Sequence, residues 1–301
     1  MLRRSALSLV ILAGCLSFSA TSTALAQAAA SAQASPETIR SMVAARLDAT
    51  VIVKFIMKSD DGSSGSDSET EVIGTMIDAK GLVLLSNTSM GGMASRFGGG
   101  MTPTDLKVLI GDDTKGLEAK LIARDSELDL CWVQINTPAE IPFKNLDITA
   151  PAVSANTGDF LYTVTKGGKF YDRTPIAREI RMIGKASKPR DLMLVGSEGF
   201  PGFGMPVYNN KGDCVGFTAL ILPSEDEMAN ARDLFGDNPS FAILPLSEVA
   251  KATVAAREQA AKPADVAPAG PAALSGPADA ASSADTKPVV PAADGDSPAK
   301  P

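Results

Sequence analysis

The chain has 301 residues, 45 % of them hydrophobic, with a formal net charge of -7 and a pI near 4.8. That apolar content supports a core for one moderate domain or two small ones, and the acidic balance, with no Lys/Arg cluster after the first few residues, argues against a nucleic-acid partner. There is no histidine at all, which excludes Ser-His-Asp and Cys-His catalysis and every zinc site built on imidazole.

In chain order, the first stretch reads as an export signal. Arg3 and Arg4 form a positive start, residues 6–20 are apolar, and Ala24-Leu25-Ala26 is a small-residue cleavage site before Gln27. A second reading stays open, because Leu12-Ala13-Gly14-Cys15 matches a bacterial lipobox in which Cys15 is lipidated. The apolar run continuing through Leu16 and Phe18 favours cleavage after Ala26 and a soluble periplasmic or secreted product. No later stretch reaches the roughly 20 apolar residues a spanning helix needs.

Residues 27–48 form an N-terminal segment with a helix. Ser35 is its N-cap, Pro36 its first residue, and Ile39, Met42, Val43 and Leu47 recur at helical spacing. Short β-rich runs follow at 51–57, 72–77, 82–85, 106–110, 117–123, 130–135, 160–164, 176–186, 192–195, 206–208, 214–222 and 241–246. Turn signals separate them, among them Asn210-Lys211-Gly212-Asp213. This pattern predicts an all-β sandwich or barrel, closed by a helix over 246–259. From residue 263 the composition shifts to Ala, Pro, Ser and Asp with no aromatic residue, which predicts a disordered tail or spacer.

Four segments carry a resemblance. Gly74-Thr75-Met76-Ile77-Asp78-Ala79-Lys80-Gly81-Leu82-Val83-Leu84-Leu85-Ser86-Asn87-Thr88-Ser89-Met90 follows G-x-I-x-x-x-G-x-I-L-T-N-x-H-V, with the step from Gly81 to Asn87 one residue longer. The run from Ala119 to Val133, containing Asp125 and Asp129, follows A-x-L-x-x-x-D-x-x-x-D-L-A-V-L. Pro201-Gly202-Phe203-Gly204-Met205-Pro206-Val207 lies on the nucleophile loop G-N-S-G-G-P-L, and Ser240-Phe241-Ala242-Ile243 on the closing G-F-A-I. In this order, over about residues 49–259, the chain resembles HtrA-type serine peptidases. The resemblance implies a trypsin-like double β-barrel with short N- and C-terminal helices, the barrels spanning about 49–147 and 148–246. The PDZ module that often follows in that family has no counterpart before the Ala/Pro tail.

The resemblance also implies lost chemistry. Ser89, or Thr88 after a one-residue slip, stands at the histidine position, Asp129 at the orienting aspartate, Phe203 at the nucleophile and Pro201 at an oxyanion donor. Phenylalanine has no nucleophilic atom and proline no N–H, so no active catalytic residue is expected. The domain reads as a pseudo-peptidase that binds a peptide or envelope protein by strand addition, with Phe217, Thr218 and Ala219 as the edge. Two alternatives are a trypsin-like endopeptidase with an unorthodox site and a purely structural envelope protein. A Ser-Lys dyad from Ser197 with Lys166 or Lys169 lacks any sign of a buried lysine, and Glu198 reads as an ordinary solvent-facing polar residue. Cys131 and Cys214 form either a disulfide or, as favoured here, two buried thiols. Met90, Met93 and Met101 around the Gly-rich loop 91–100 offer thioethers but no His or Cys beside them, so neither metal nor cofactor is expected.

Overall fold

The computed structural model describes residues 33–59, 68–92, 101–137, 140–188, 190–196, 198–221 and 241–262. The export signal, Cys15, Met93, Ser197 and the Ala/Pro tail lie outside the described residues. The first helix, α1 (Pro36–Arg46), starts on Ser35, whose Oγ accepts from the Thr38 N–H at 3.2 Å. It tightens into a 3₁₀ turn at Leu47–Ala49 before entering the first strand.

Twelve strands follow. The first six are β1 (Thr50–Ser59), β2 (Ser68–Asp78), β3 (Leu82–Ser86), β4 (Met101–Leu109), β5 (Leu117–Asp125) and β6 (Leu130–Ile135). They close in the order β1-β2-β3-β6-β5-β4. The second six are β7 (Phe160–Lys166), β8 (Pro175–Ala186), β9 (Leu192–Val195), β10 (Pro206–Tyr208), β11 (Cys214–Leu220) and β12 (Phe241–Pro245). They close as β10-β11-β12-β9-β8-β7, the same order run from the other edge, and α2 (Leu246–Ala261) follows. Two consecutive antiparallel six-stranded barrels of like topology are the trypsin-like double β-barrel.

Several strands are apolar on both faces, and the packing explains why. Side chains alternate across a strand, so Val83 and Leu85 of β3 and Cys131 and Val133 of β6 fill the first barrel. Their neighbours Leu84, Leu130 and Trp132 point outward into a separate core. That core also takes Tyr162, Phe217 and Leu244 from the second barrel and Leu246 and Val249 from α2. The second barrel is filled by its own set, including Leu161, Ile180, Val207 and Ile243.

Each helix docks on the barrel remote in sequence. Ahead of α1, the Ala34 N–H donates to the Tyr162 hydroxyl at 2.7 Å, and Arg46 donates to the Gly212 carbonyl at 2.8 Å. In α2, Thr253 Oγ1 accepts from the Trp132 indole N–H at 3.0 Å and donates to the Val249 carbonyl, while Arg257 pairs with Asp78. No helix among the described residues is long and apolar enough to cross a membrane. Trp132 and Thr253 are each 2 % exposed. Thr253→Val therefore leaves a buried indole donor without an acceptor, and chemical denaturation is expected to show a loss of about 1–3 kcal/mol.

Candidate functional site

The site forms where the end of β3, the turn into β6, the loop before β10 and the end of β11 meet. Asp125 builds the turn: its Oδ1 accepts from the N–H groups of Glu127 and Leu128 at 3.0 and 2.9 Å. The turn ends at Asp129, which adopts left-handed backbone (φ 56°), a conformation aspartate tolerates better than most residues. Its carbonyl accepts from the Asn87 N–H at 3.1 Å, and its side chain enters the junction of the barrels, 2 % exposed.

The Asp129 carboxyl group is saturated by its own fold. The Ser86 hydroxyl sits 2.9 and 2.8 Å from its two oxygens. Oδ1 also accepts from the Thr88 N–H at 2.7 Å, and Oδ2 from the Leu220 N–H at 3.0 Å. The first two donors belong to the first barrel and the third to the second. Burial pushes this carboxyl above the ordinary aspartate range, and the bonds from Leu220, Thr88 and Ser86 pull it partly back.

Ser89, set at the histidine position by the sequence resemblance alone, donates its backbone N–H to Ser86 Oγ at 3.2 Å and sits in the 3₁₀ turn Thr88–Met90. Arg124 pins that turn, donating to Asn87 Oδ1 and the Met90 carbonyl. Met90 is fully buried in the first barrel. Ser86 is the serine hydroxyl bonded to Asp129, and at 0 % exposure it is sealed from any substrate.

The loop before β10 lies against this junction. Gly204 has φ 73°, and a Cβ there would come within 2.3 Å of the Ser86 backbone nitrogen, so glycine is required on both counts. The Gly204 N–H is committed to the Thr218 carbonyl at 2.7 Å, and the Met205 N–H to Thr218 Oγ1 at 2.9 Å. Phe203 turns into an aromatic group, its ring centroid 5.3 Å from Phe200 and 5.8 Å from Phe241, which themselves stack at 4.5 Å. Pro201, half-buried, offers no N–H.

Two expectations are corrected, the free edge at Phe217–Ala219 and the absence of burial at Lys166. Phe217, Thr218 and Ala219 present no free edge: all three are fully buried, paired on one side with Leu244, Ile243 and Ala242. On the other side Phe217 faces Pro206, and Thr218 exchanges bonds with Met205 and Gly204. Cys131 and Cys214 are free thiols in different cores, not a disulfide, and burial pushes both up to about 12. Lys166 is partly buried, and desolvation lowers its pKa. It lines a cavity that has no serine among its described walls, and Ser197 lies outside the described residues. Lys169 and Glu198 are exposed.

The Asp129–Ser86 contact, the Leu220 donor and the aromatic group were not foreseen. The only sequence signal for the last is three phenylalanines at the loop and at the start of β12.

No family model matches this chain. No curated protein matches it either. Among solved structures, the crystal structure of Deg5 is similar to it at 14 % identity, covering 71 % of this chain and 91 % of that chain with a TM-score of 0.49. The fold assignment rests on the strand order of the two barrels.

In Asp129→Asn one carboxyl oxygen is replaced by a donor that faces the N–H of Thr88 or Leu220. A stability loss of about 1–3 kcal/mol is expected. A raised folded-state pKa makes the wild-type stability from this group largest below the ordinary aspartate range, and it falls away as pH rises through the folded value. The deficit of Asp129→Asn is therefore expected to widen on acidification and level off below pH of about 3.9, read from paired denaturation curves.

Proposed function

We propose that this chain is an exported, catalytically inactive relative of HtrA-type serine peptidases that acts in the cell envelope by binding a peptide or protein. The observation that carries this reading is the commitment of the Asp129 carboxyl to Ser86, Thr88 and Leu220. An orienting aspartate must accept from an imidazole, and this chain has none. Phe203 at the nucleophile position and Pro201 at an oxyanion donor point the same way. Losing one such donor alone costs roughly 10²–10³ in rate.

Strand addition at Phe217 and Thr218 is closed off by β10 and β12, so the partner is proposed to bind elsewhere on the domain. Binding by main-chain pairing needs no catalytic group.

The purified protein is expected to cleave no unfolded casein and to take no label from a fluorophosphonate probe. Turnover abolished by Ser89→Ala, in a variant that keeps its folded stability, would instead establish the unorthodox hydrolase. Crosslinking and pull-down from native envelope is expected to capture a specific partner, and capture of none favours the purely structural reading.

A further inference from the structure

A cavity of about 440 Å³ lies between the barrels, walled by the 3₁₀ turn after α1, the chain after β4, the inter-barrel linker and the β7–β8 hairpin. Its volume falls within the roughly 300–1,000 Å³ typical of small-molecule sites. The accessible apolar walls are Leu47, Ile110, Phe143 and Pro175, and Met76 borders the cavity from the core of the first barrel.

Two cations stand inside it with donor capacity in reserve. Arg173, 17 % exposed at the side chain, gives one nitrogen to Glu71 Oε1 at 3.0 Å, and its Nε is buried with no hydrogen-bond partner. Lys166 is half-buried and makes no ion pair among the described residues. Its ammonium is held down by desolvation first and by the Arg173 charge, while Asp112 and Asp48 offset this from a distance. Asp48, Asp112 and Asp172 line the exposed rim with Lys144. Asp172 and Arg173 both take left-handed backbone, at φ 51°. The hairpin holds them there through Gly167 N–H to the Thr174 carbonyl and Arg173 N–H to the Gly168 carbonyl. Such backbone in non-glycine residues persists only where surrounding structure fixes it.

Lys166 and Arg173 thus lie deeper than the aspartates at the mouth, and Glu71 already offsets part of the Arg173 charge. A simple anion seated on Lys166 and Arg173 meets the field of the aspartates, and a simple cation meets that of the basic groups. A molecule with a carboxylate and an ammonium a few bonds apart satisfies both.

We propose that this cavity binds a free apolar α-amino acid, with its carboxylate on Lys166 and Arg173, its ammonium toward Asp48 and Asp112, and its side chain on Leu47, Ile110 and Phe143. The site is separate from the Asp129 junction and does not depend on whether that junction is catalytic.

The test is titration of the full chain with L-phenylalanine, followed by calorimetry and amide NMR. Two comparators are phenylalaninamide, which lacks the carboxylate, and N-acetylphenylalanine, which lacks the ammonium. Saturable binding of phenylalanine is expected, at least tenfold weaker for each comparator and at least tenfold weaker in Lys166→Met. Asp112→Asn changes only an exposed rim residue, so it reports on the site even if a variant of Lys166 or Arg173 fails to fold. It is expected to weaken phenylalanine while leaving N-acetylphenylalanine unchanged or improved. Absence of saturable binding by phenylalanine overturns the proposal. So does equal binding of phenylalaninamide, or unchanged affinity in both Lys166→Met and Asp112→Asn.

Discussion

A single buried carboxyl group joins the two halves of this molecule. Asp129 accepts from Ser86 and Thr88 on the first barrel and from Leu220 on the second, at 2.7 to 3.0 Å. Burying a carboxyl group is costly unless its oxygens are hydrogen-bonded, and here each oxygen has a backbone donor as well as the Ser86 hydroxyl. The same junction brings Gly204 against the Ser86 backbone so closely that no side chain fits between them. Beneath it runs the shared core of Leu84, Trp132, Phe217 and Leu244. The corner is therefore a structural joint, and the arrangement of the loop before β10 follows from it.

That joint bears directly on chemistry. In a serine peptidase an aspartate fixes an imidazole, which moves a proton from the attacking hydroxyl. Here the aspartate fixes backbone and a sealed serine. Phe203 contributes a ring to the Phe200–Phe203–Phe241 group, where aromatic contact adds to area burial. A partner-binding role is compatible with such a corner because strand pairing draws on backbone groups alone.

Much of the fold was legible in the sequence. Strands β6, β9 and β10 begin and end where apolar runs and turn residues placed them, and the Ser35-Pro36 start of α1 is a local signal that the structure uses as such. The all-β expectation held because alternation and turn chemistry are local. What was misjudged depends on contacts distant in sequence. Phe217–Ala219 read as an edge because nothing in those residues reveals that β12 flanks them on one side and Pro206 and Met205 on the other. Cys131 and Cys214, for which two buried thiols were favoured over a disulfide, are free thiols in separate cores set by barrel closure. Leu220 gives Asp129 a backbone N–H, a donor that every residue except proline carries and that no side-chain pattern marks. The Lys166–Arg173 cavity draws its walls from residues between 47 and 175, and its lysine looked like an ordinary loop cation until burial was known.

Native-state hydrogen exchange at the Thr88 and Leu220 amides tests the central claim most directly. If Asp129 is the joint between the barrels, both amides exchange only through the largest opening of the structure, and Asp129→Ala speeds both together by an amount exceeding its change in global stability. Fast exchange at Leu220 in the unaltered protein, or exchange at the two sites that is indifferent to Asp129, would contradict the account.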